Sequence, residues 1–347
     1  MAYTTIDDPT IYFNTVLYTG NATGRTITGV GFEPNLVWGK VRSEAQDHVL
    51  VDSIRGATKQ LYSSDSAAEQ TEAQGLTGFD SDGFTLGTHA YFNGNSKTYV
   101  AWNWKAGTAF TNDASATGIG SIDSAGSVNT DAGFSIVSWT GTGSAGTIKH
   151  GLSTTPSMII IKNRSSAYDW TVGHNSLGWT NVVFLNLDTA SQGDTQFNNT
   201  APTSSVFSIG TPLMANKSGD SIIAYCFSEK KGYSKFSSFV GNGNADGTFI
   251  YTGFKPAWVM WKRTDATNDW YIYDNKRNSF NTMGRRLEAN QSDAEVNSGS
   301  AIVDFLSNGY KFRGTDPSWN VSGGNFIYMA FAESPFVTST GVPATAR

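Results

Sequence analysis

Three short apolar runs, each introduced by a proline, recur along the chain with matched surroundings. The prolines are Pro34, Pro156 and Pro256. After Pro34, Leu36 and Trp38 alternate with Val37, so an extended chain would carry apolar side chains on both faces. Proline holds the residue before it in extended geometry and suits the start of a strand. The pattern therefore predicts a strand at each site, covered by other elements on both faces.

Polar residues follow each proline at matched distances. A lysine comes first, then an aspartate, then an aromatic residue or histidine, and then a second aspartate or histidine. The three sets are Lys40, Asp47, His48 and Asp52; Lys162, Asp169, Trp170 and His174; and Lys262, Asp269, Trp270 and Asp274. This recurrence indicates internal repeats. We interpret each lysine as a strand end with a solvated ammonium group, paired with the following aspartate. The alternative is a basic row that binds an acidic ligand.

Turn residues divide each repeat into about six short strands. We therefore predict an all-β fold of three repeated β-sandwich modules, jelly-roll-like in character. The predicted segments are a leader at 1–13, repeat 1 at 14–107, a Gly/Ser/Thr-rich linker at 108–132, repeat 2 at 133–230, repeat 3 at 231–337 and a loose C-terminal tail at 338–347. We align the closing strands of the repeats at Ala101, Ala224 and Ala330.

Composition and charge exclude several classes of protein. Charged residues make up 15% of the 347 residues, the net charge is −5, and no long basic patch exists, so nucleic acid is not expected as a partner. The N-terminus lacks the pattern of a signal peptide, and no apolar run is long enough for a membrane helix. The single cysteine, Cys226, lies in an apolar run and is expected to be a small buried hydrophobic residue.

The candidates for chemistry are few. Two aspartates close together, such as Asp47 with Asp52 or Asp269 with Asp274, are the pattern of a glycoside hydrolase. Because the pattern is tripled and one copy carries His174 instead, we favour a structural origin and predict no enzymatic activity. The four histidines show no metal-ligand spacing, so neither a metal nor a cofactor is expected.

The ten tryptophans raise the possibility of sugar binding, since flat rings stack on sugar faces. Five of them fall in predicted strands and are expected in the core, namely Trp38, Trp102, Trp139, Trp258 and Trp261. Trp179 and Trp319 fall in loop-like surroundings. We therefore predict these two as an exposed ligand-binding platform.

Several stretches of repeat 1 resemble a family of virion proteins of tailed bacteriophages, marine phages especially. The stretches are Thr4–Pro9, Leu17–Gly20, Gly31–Trp38, Asp52–Lys59, Asp80–Gly87 and Tyr99–Lys105. Repeats 2 and 3 depart from the Arg-Gly and Asp-Gly-Phe elements of this pattern. The resemblance implies a tail-fibre-like or other structural component of a virus particle, made in the host cytoplasm.

Taken with this resemblance, the sequence predicts a tail-fibre or tail-tip protein that presents loops to host-surface glycan. Its expected partners are other virion proteins and further copies of itself, with a trimer as the expected oligomer. The competing interpretation is a capsid-decorating or head-fibre protein, which the short leader favours because it leaves little room for a fibre shaft. A capsule-degrading depolymerase is the third alternative.

Overall fold

The all-β prediction is confirmed. The computed structural model describes residues 2–297 and 302–345, and these form antiparallel sheets connected by turns and very short helices. We call three parts of the chain unit 1 (13–104), unit 2 (108–227) and unit 3 (234–335). Each unit contains one large sheet and one small sheet.

Unit 1 has a large sheet of strand order β1-β9-β3-β4-β5-β6 and a small sheet of order β2-β8-β7. Its elements are β1 (Phe13–Thr19), β2 (Arg25–Thr28), β3 (Leu36–Val41), β4 (Val49–Asp52), β5 (Lys59–Tyr62), β6 (Gln70–Thr71), β7 (Leu76–Asp80), β8 (Gly83–Leu86), α1 (Ala90–Asn93) and β9 (Thr98–Trp104), preceded by a 3-10 turn (Pro9–Ile11).

Unit 2 has a large sheet of order β10-β11-β12-β19-β14-β15-β16-β17, and β13 pairs with β18. Its elements are β10 (Thr108–Asn112), α2 (Ala114–Thr117), β11 (Ser124–Asn129), β12 (Phe134–Thr140), β13 (Gly146–Lys149), β14 (Met158–Asn163), β15 (Thr171–His174), a 3-10 turn (Asn175–Leu177), β16 (Asn181–Phe184), β17 (Gln192–Gly193), β18 (Val206–Ile209), α3 (Leu213–Asn216) and β19 (Ser221–Phe227).

Unit 3 has a large sheet of order β20-β28-β22-β23-β24-β25 and a small sheet of order β21-β27-β26. Its elements are β20 (Ser234–Val240), β21 (Phe249–Tyr251), β22 (Phe254–Arg263), β23 (Trp270–Asp274), β24 (Arg285–Glu288), β25 (Val296–Asn297), β26 (Val303–Leu306), β27 (Gly309–Phe312) and β28 (Asn325–Pro335).

The three large sheets share one core. Each unit has its own apolar cluster between its large and small sheets, and a fourth cluster contains side chains from all three units. In β3, Leu36 and Trp38 belong to the shared cluster while Val37 belongs to the cluster of unit 1. The prediction of strands covered on both faces is thus confirmed, and the five tryptophans expected in the core are buried.

The predicted linker at 108–132 is wrong. Strands β10 and β11 lie in it and add to the free edge of β12. Its Gly/Ser/Thr-rich composition fits an edge strand packed tightly against its neighbour. A Cβ at Gly126, for example, would lie 2.3 Å from the Ile136 carbonyl oxygen. Small residues are required there, and they gave the segment the composition of a linker.

The tail is more ordered than predicted, and the leader contacts it. In the leader, Thr4 Oγ1 donates to the Lys231 carbonyl at 2.8 Å. The Ser339 main-chain N–H of the tail donates to Asp7 Oδ1 at 2.6 Å. The leader is therefore bonded both to the segment before unit 3 and to the tail, so the loose tail is wrong for the part that the structure describes. Residues 346–347 of the predicted tail lie outside it.

Strand register corrects the alignment of the closing strands. The three lysines pair with Val100, Ile223 and Ile327. The residue after each of these is Ala101, Ala224 and Tyr328, so Ala330 is not the counterpart of the other two alanines. The next residues, Trp102, Tyr225 and Met329, are equivalent in position and all face the shared core.

Candidate functional site

Trp179 and Trp319 do not form an exposed platform. Their exposed fractions are 8% and 7%, and they belong to two different apolar clusters. Trp179 packs edge-on against Phe197, and Trp319 packs edge-on against Tyr271. The prediction of an exposed pair is wrong because loop-like sequence does not reveal that a loop folds back over a small sheet.

The recurring lysines bond units together and do not reach solvent. All three are fully buried, and each Nζ donates to a main-chain carbonyl of another unit. The bonds are Lys40 to Ser292 (3.2 Å), Lys162 to Ser66 (2.9 Å) and Lys262 to Asp188 (3.0 Å). Burial lowers the pKa of each lysine to about 8, against the attraction of nearby carboxylates. Neither solvated strand ends nor a basic row for a ligand describes these residues.

These bonds close a ring. Unit 2 contacts unit 1, unit 3 contacts unit 2, and unit 1 contacts unit 3 through equivalent atoms. A head-to-tail contact that closes after three steps is the arrangement of a threefold ring. We name the contacts junction 1–2, junction 2–3 and junction 3–1 after the units that meet.

The aspartates after the lysines organise a turn within each unit. The carboxylate of each aspartate accepts a hydrogen bond from the side chain of a residue farther along the chain. The same side chain accepts a second hydrogen bond, from the main-chain N–H of the residue that follows the aspartate. The carboxylate bonds are Ser64 to Asp47 (2.9 Å), Asn186 to Asp169 (2.7 Å) and Asn290 to Asp269 (2.7 Å). The main-chain donors are His48, Trp170 and Trp270. This shared role in a turn explains the tripled spacing.

The rings that follow the aspartates cross the junctions. Trp170 Nε1 donates to the Tyr62 carbonyl at 2.7 Å, and Trp270 Nε1 donates to the Phe184 carbonyl at 2.9 Å. At junction 3–1 a histidine replaces the tryptophan. Burial lowers the pKa of His48, and the main chain of Glu288 lies beside it, although no hydrogen bond of good geometry reaches Nε2.

Asp52 and Asp274 are the centres of two buried ionic networks. At junction 1–2, Asp52 Oδ2 accepts from Tyr225 at 2.7 Å and from the Arg55 guanidinium. At junction 3–1, Asp274 Oδ2 accepts from Trp102 Nε1 at 3.1 Å. Arg277 donates to the same Asp274 oxygen at 2.5 Å.

Bidentate ion pairs lie beside these two networks. They are Arg164 with Glu69 at junction 1–2 and Arg42 with Glu295 at junction 3–1. Both central carboxylates are fully buried, and their bonds are already made within the protein. This geometry is that of a structural bond between units.

Junction 2–3 lacks the ionic network of the other two junctions. His174 replaces the central aspartate, and Leu177 stands where Arg55 and Arg277 stand. Met329 replaces the donor, so it cannot bond to His174. The main chain of Tyr328 lies beside the His174 ring, although no hydrogen bond of good geometry reaches Nε2. Thr264 and Ser191 stand where the outer arginine and glutamate stand at the other junctions. The main-chain N–H and the Oγ of Ser191 both donate to the Thr264 carbonyl, at 2.9 and 3.0 Å.

Two grooves open on the surface beside these junctions. Groove A, about 440 Å³, lies beside junction 1–2. Its lining residues include Asp113, Asp123, Asn112 and Arg164, with hydroxyl groups from serines and threonines. Groove B, about 500 Å³, lies at junction 2–3, and its lining includes Leu177.

The carboxylates of groove A are held by the loop at helix α2. Asp113 Oδ1 accepts from Ser115 Oγ and the Ala116 N–H, and these bonds lower the pKa of Asp113. Asp123 Oδ1 accepts from the Ala114 N–H at 2.8 Å. Neither Oδ2 atom is engaged in a hydrogen bond within residues 2–297 and 302–345. Groove A therefore offers carboxylate acceptors that are fixed in place.

Sequence reasoning missed groove A because six of its eleven lining residues come from the segment interpreted as a linker. The signal that was present is the pair Asp113 and Asp123, which flank a short polar stretch before β11. The described residues contain no cluster of three metal-ligating side chains and no helix that could span a membrane.

A family model described as a domain of unknown function, DUF7483, matches residues 8–335. The chain belongs to the DUF7483 family. The match runs through all three units and both grooves. No curated protein matches the chain.

Proposed function

We propose that this chain is a non-enzymatic structural protein of a bacteriophage particle that attaches to host-surface glycan through groove A. The chemistry of groove A carries the proposal. The exposed carboxylates of Asp113 and Asp123 present paired acceptor oxygens, which match neighbouring hydroxyl groups on a sugar ring. The resemblance of repeat 1 to phage virion proteins supports the setting.

The buried networks support a structural role. The recurring charged residues are engaged in bonds within or between units, and this leaves them unavailable for acid–base catalysis. Arg164 differs from the other charged residues of the junctions because it forms an ion pair with Glu69 of unit 1 and also lines groove A. Its fixed guanidinium would orient a ligand against junction 1–2.

Binding to an array of bacterial surface glycans tests the proposal. The variant Asp113→Asn with Asp123→Asn should lose binding, since amides accept hydrogen bonds more weakly than carboxylates. Exposed Asp131, which does not line the groove, provides the control Asp131→Asn. Glycan binding that survives the double variant would refute groove A as the site, and release of reducing sugars would refute a non-enzymatic role.

A capsid-decorating protein is the second candidate, and the closed ring favours it. Three similar units around one core present similar surfaces in three directions, which suits a threefold position in a shell. A density map of the intact particle distinguishes the two candidates. Density at the tail periphery would support attachment, and density over threefold positions of the shell would support decoration.

A further inference from the structure

β12 and β20 occupy the same place in their sheets. β12 pairs with β19, which pairs with β14, and β20 pairs with β28, which pairs with β22. The outer edge of β12 is covered by β11. In the described part of the chain no strand covers the outer edge of β20, and groove B runs along it.

Main-chain groups at this edge are oriented for pairing. The Ala332 N–H donates to the Tyr233 carbonyl, and the Gly241 N–H donates to the Gly324 carbonyl. Antiparallel pairing alternates, so odd-numbered residues of β20 bond to β28 and even-numbered residues point outward. In unit 2 the main-chain groups of the equivalent residues of β12 face β11. Ser138, which lies opposite Ala125 of β11, is the counterpart of Ser238.

The accessible part of the edge is short. Phe236 is 1% exposed, whereas Val240 is 55% exposed and Ser238 is exposed. The Val240 carbonyl accepts from Thr248 Oγ1, which leaves the Val240 N–H and both groups of Ser238 for a partner. The edge therefore has room for an extended segment of about three or four residues.

The lining of groove B selects an uncharged segment. Its one carboxylate, Asp265, already binds Arg263 and the Asn325 N–H. The other lining side chains are uncharged, and Leu177 and Val240 add apolar surface. Groove B is also continuous with the contact of Ser191 and Thr264 across junction 2–3.

We propose that groove B binds an uncharged, small-residue segment of another polypeptide, which adds to β20 as a further antiparallel strand. Main-chain bonds would give the affinity, as in other cases of strand addition. The loss of the ionic network makes room, because short neutral side chains replace the arginine and glutamate of the other two junctions. β11 shows the kind of segment that this position accepts.

Titration of the full chain with a blocked peptide tests this proposal. The peptide has the sequence of residues 122–130 with Asp123→Asn, and a scrambled peptide is the control. Residue-resolved amide exchange should slow at Ser238 and Val240, while Ser237 and Phe239, already bonded to β28, should not change. Absence of binding at millimolar peptide, or protection elsewhere, would overturn the proposal.

A proline variant and its matched control locate the site. Ser238→Pro removes an outward N–H without breaking the ladder to β28 and should weaken peptide binding at least about tenfold. Leu17 holds the equivalent outward position in β1, so Leu17→Pro should leave binding unchanged. Equal binding by both variants, or stronger protection of the same amides by a neutral oligosaccharide, would overturn the assignment to a peptide.

Discussion

Replacing one buried lysine tests whether these residues carry a charge inside the ring. Lys162 Nζ donates to the Ser66 carbonyl of unit 1 and to the Tyr168 carbonyl of unit 2. Burial lowers its pKa from 10.5 to about 8. Between these values the unfolded chain binds more protons than the folded chain, so stability rises with pH. Lys162→Met removes this contribution and should flatten the rise.

The size of the effect follows from the shift. The difference between 10.5 and about 8 corresponds to about 3 kcal/mol of disfavoured charge at neutral pH. About 2 kcal/mol of this is relieved between about pH 7 and pH 9.5. The free energy of unfolding of the wild type should therefore gain about 2 kcal/mol more than that of Lys162→Met over this interval. The loss of two hydrogen bonds lowers the variant at every pH and cancels in this comparison.

Urea unfolding at a series of pH values measures this difference. Lys276, which is exposed, provides the control Lys276→Met, and that variant should keep the wild-type dependence on pH. Equal pH dependence in Lys162→Met and in the wild type would refute a titrating lysine at the junction. A steeper dependence in the variant would refute the sign of the argument.

Three further predictions concern buried groups. Burial lowers the pKa of His174 to about 4, so stability should fall as pH drops from about 6.5 towards 4, and His174→Gln should recover about 3 kcal/mol of that loss in acid unfolding. Tyr225→Phe removes a donor to buried Asp52 and should cost about 1–3 kcal/mol in urea unfolding, whereas Tyr273→Phe, whose buried hydroxyl has no partner, should cost nothing. Trp179→Ala should cost about 3–5 kcal/mol by thermal unfolding.

The strands around the prolines could be predicted from the sequence because their apolar pattern is local. Alternation at Leu36, Val37 and Trp38 is enough to place a strand and to show that both faces are covered. The junction bonds could not be predicted, since the partner of each lysine is a main-chain carbonyl that any residue type supplies. The same holds for β11, whose small residues are selected by close packing and have the composition of a linker.

Matched spacing in a repeat therefore has two origins that the sequence alone does not separate. Asp47 keeps its spacing because of a turn within its own unit, whereas Asp52 keeps its spacing because of a donor on another unit. The two origins can be told apart at junction 2–3, where the residues depart from the repeated pattern. At junction 2–3 the acceptor became His174 and the donor became Met329, and the loss of both together avoids a buried carboxylate without a donor. The outer ion pair disappeared from the same junction, which is where groove B opens. Paired departures from a repeat are thus the sequence signal that identifies contacts between units, and in this chain they point to the junction that differs in structure.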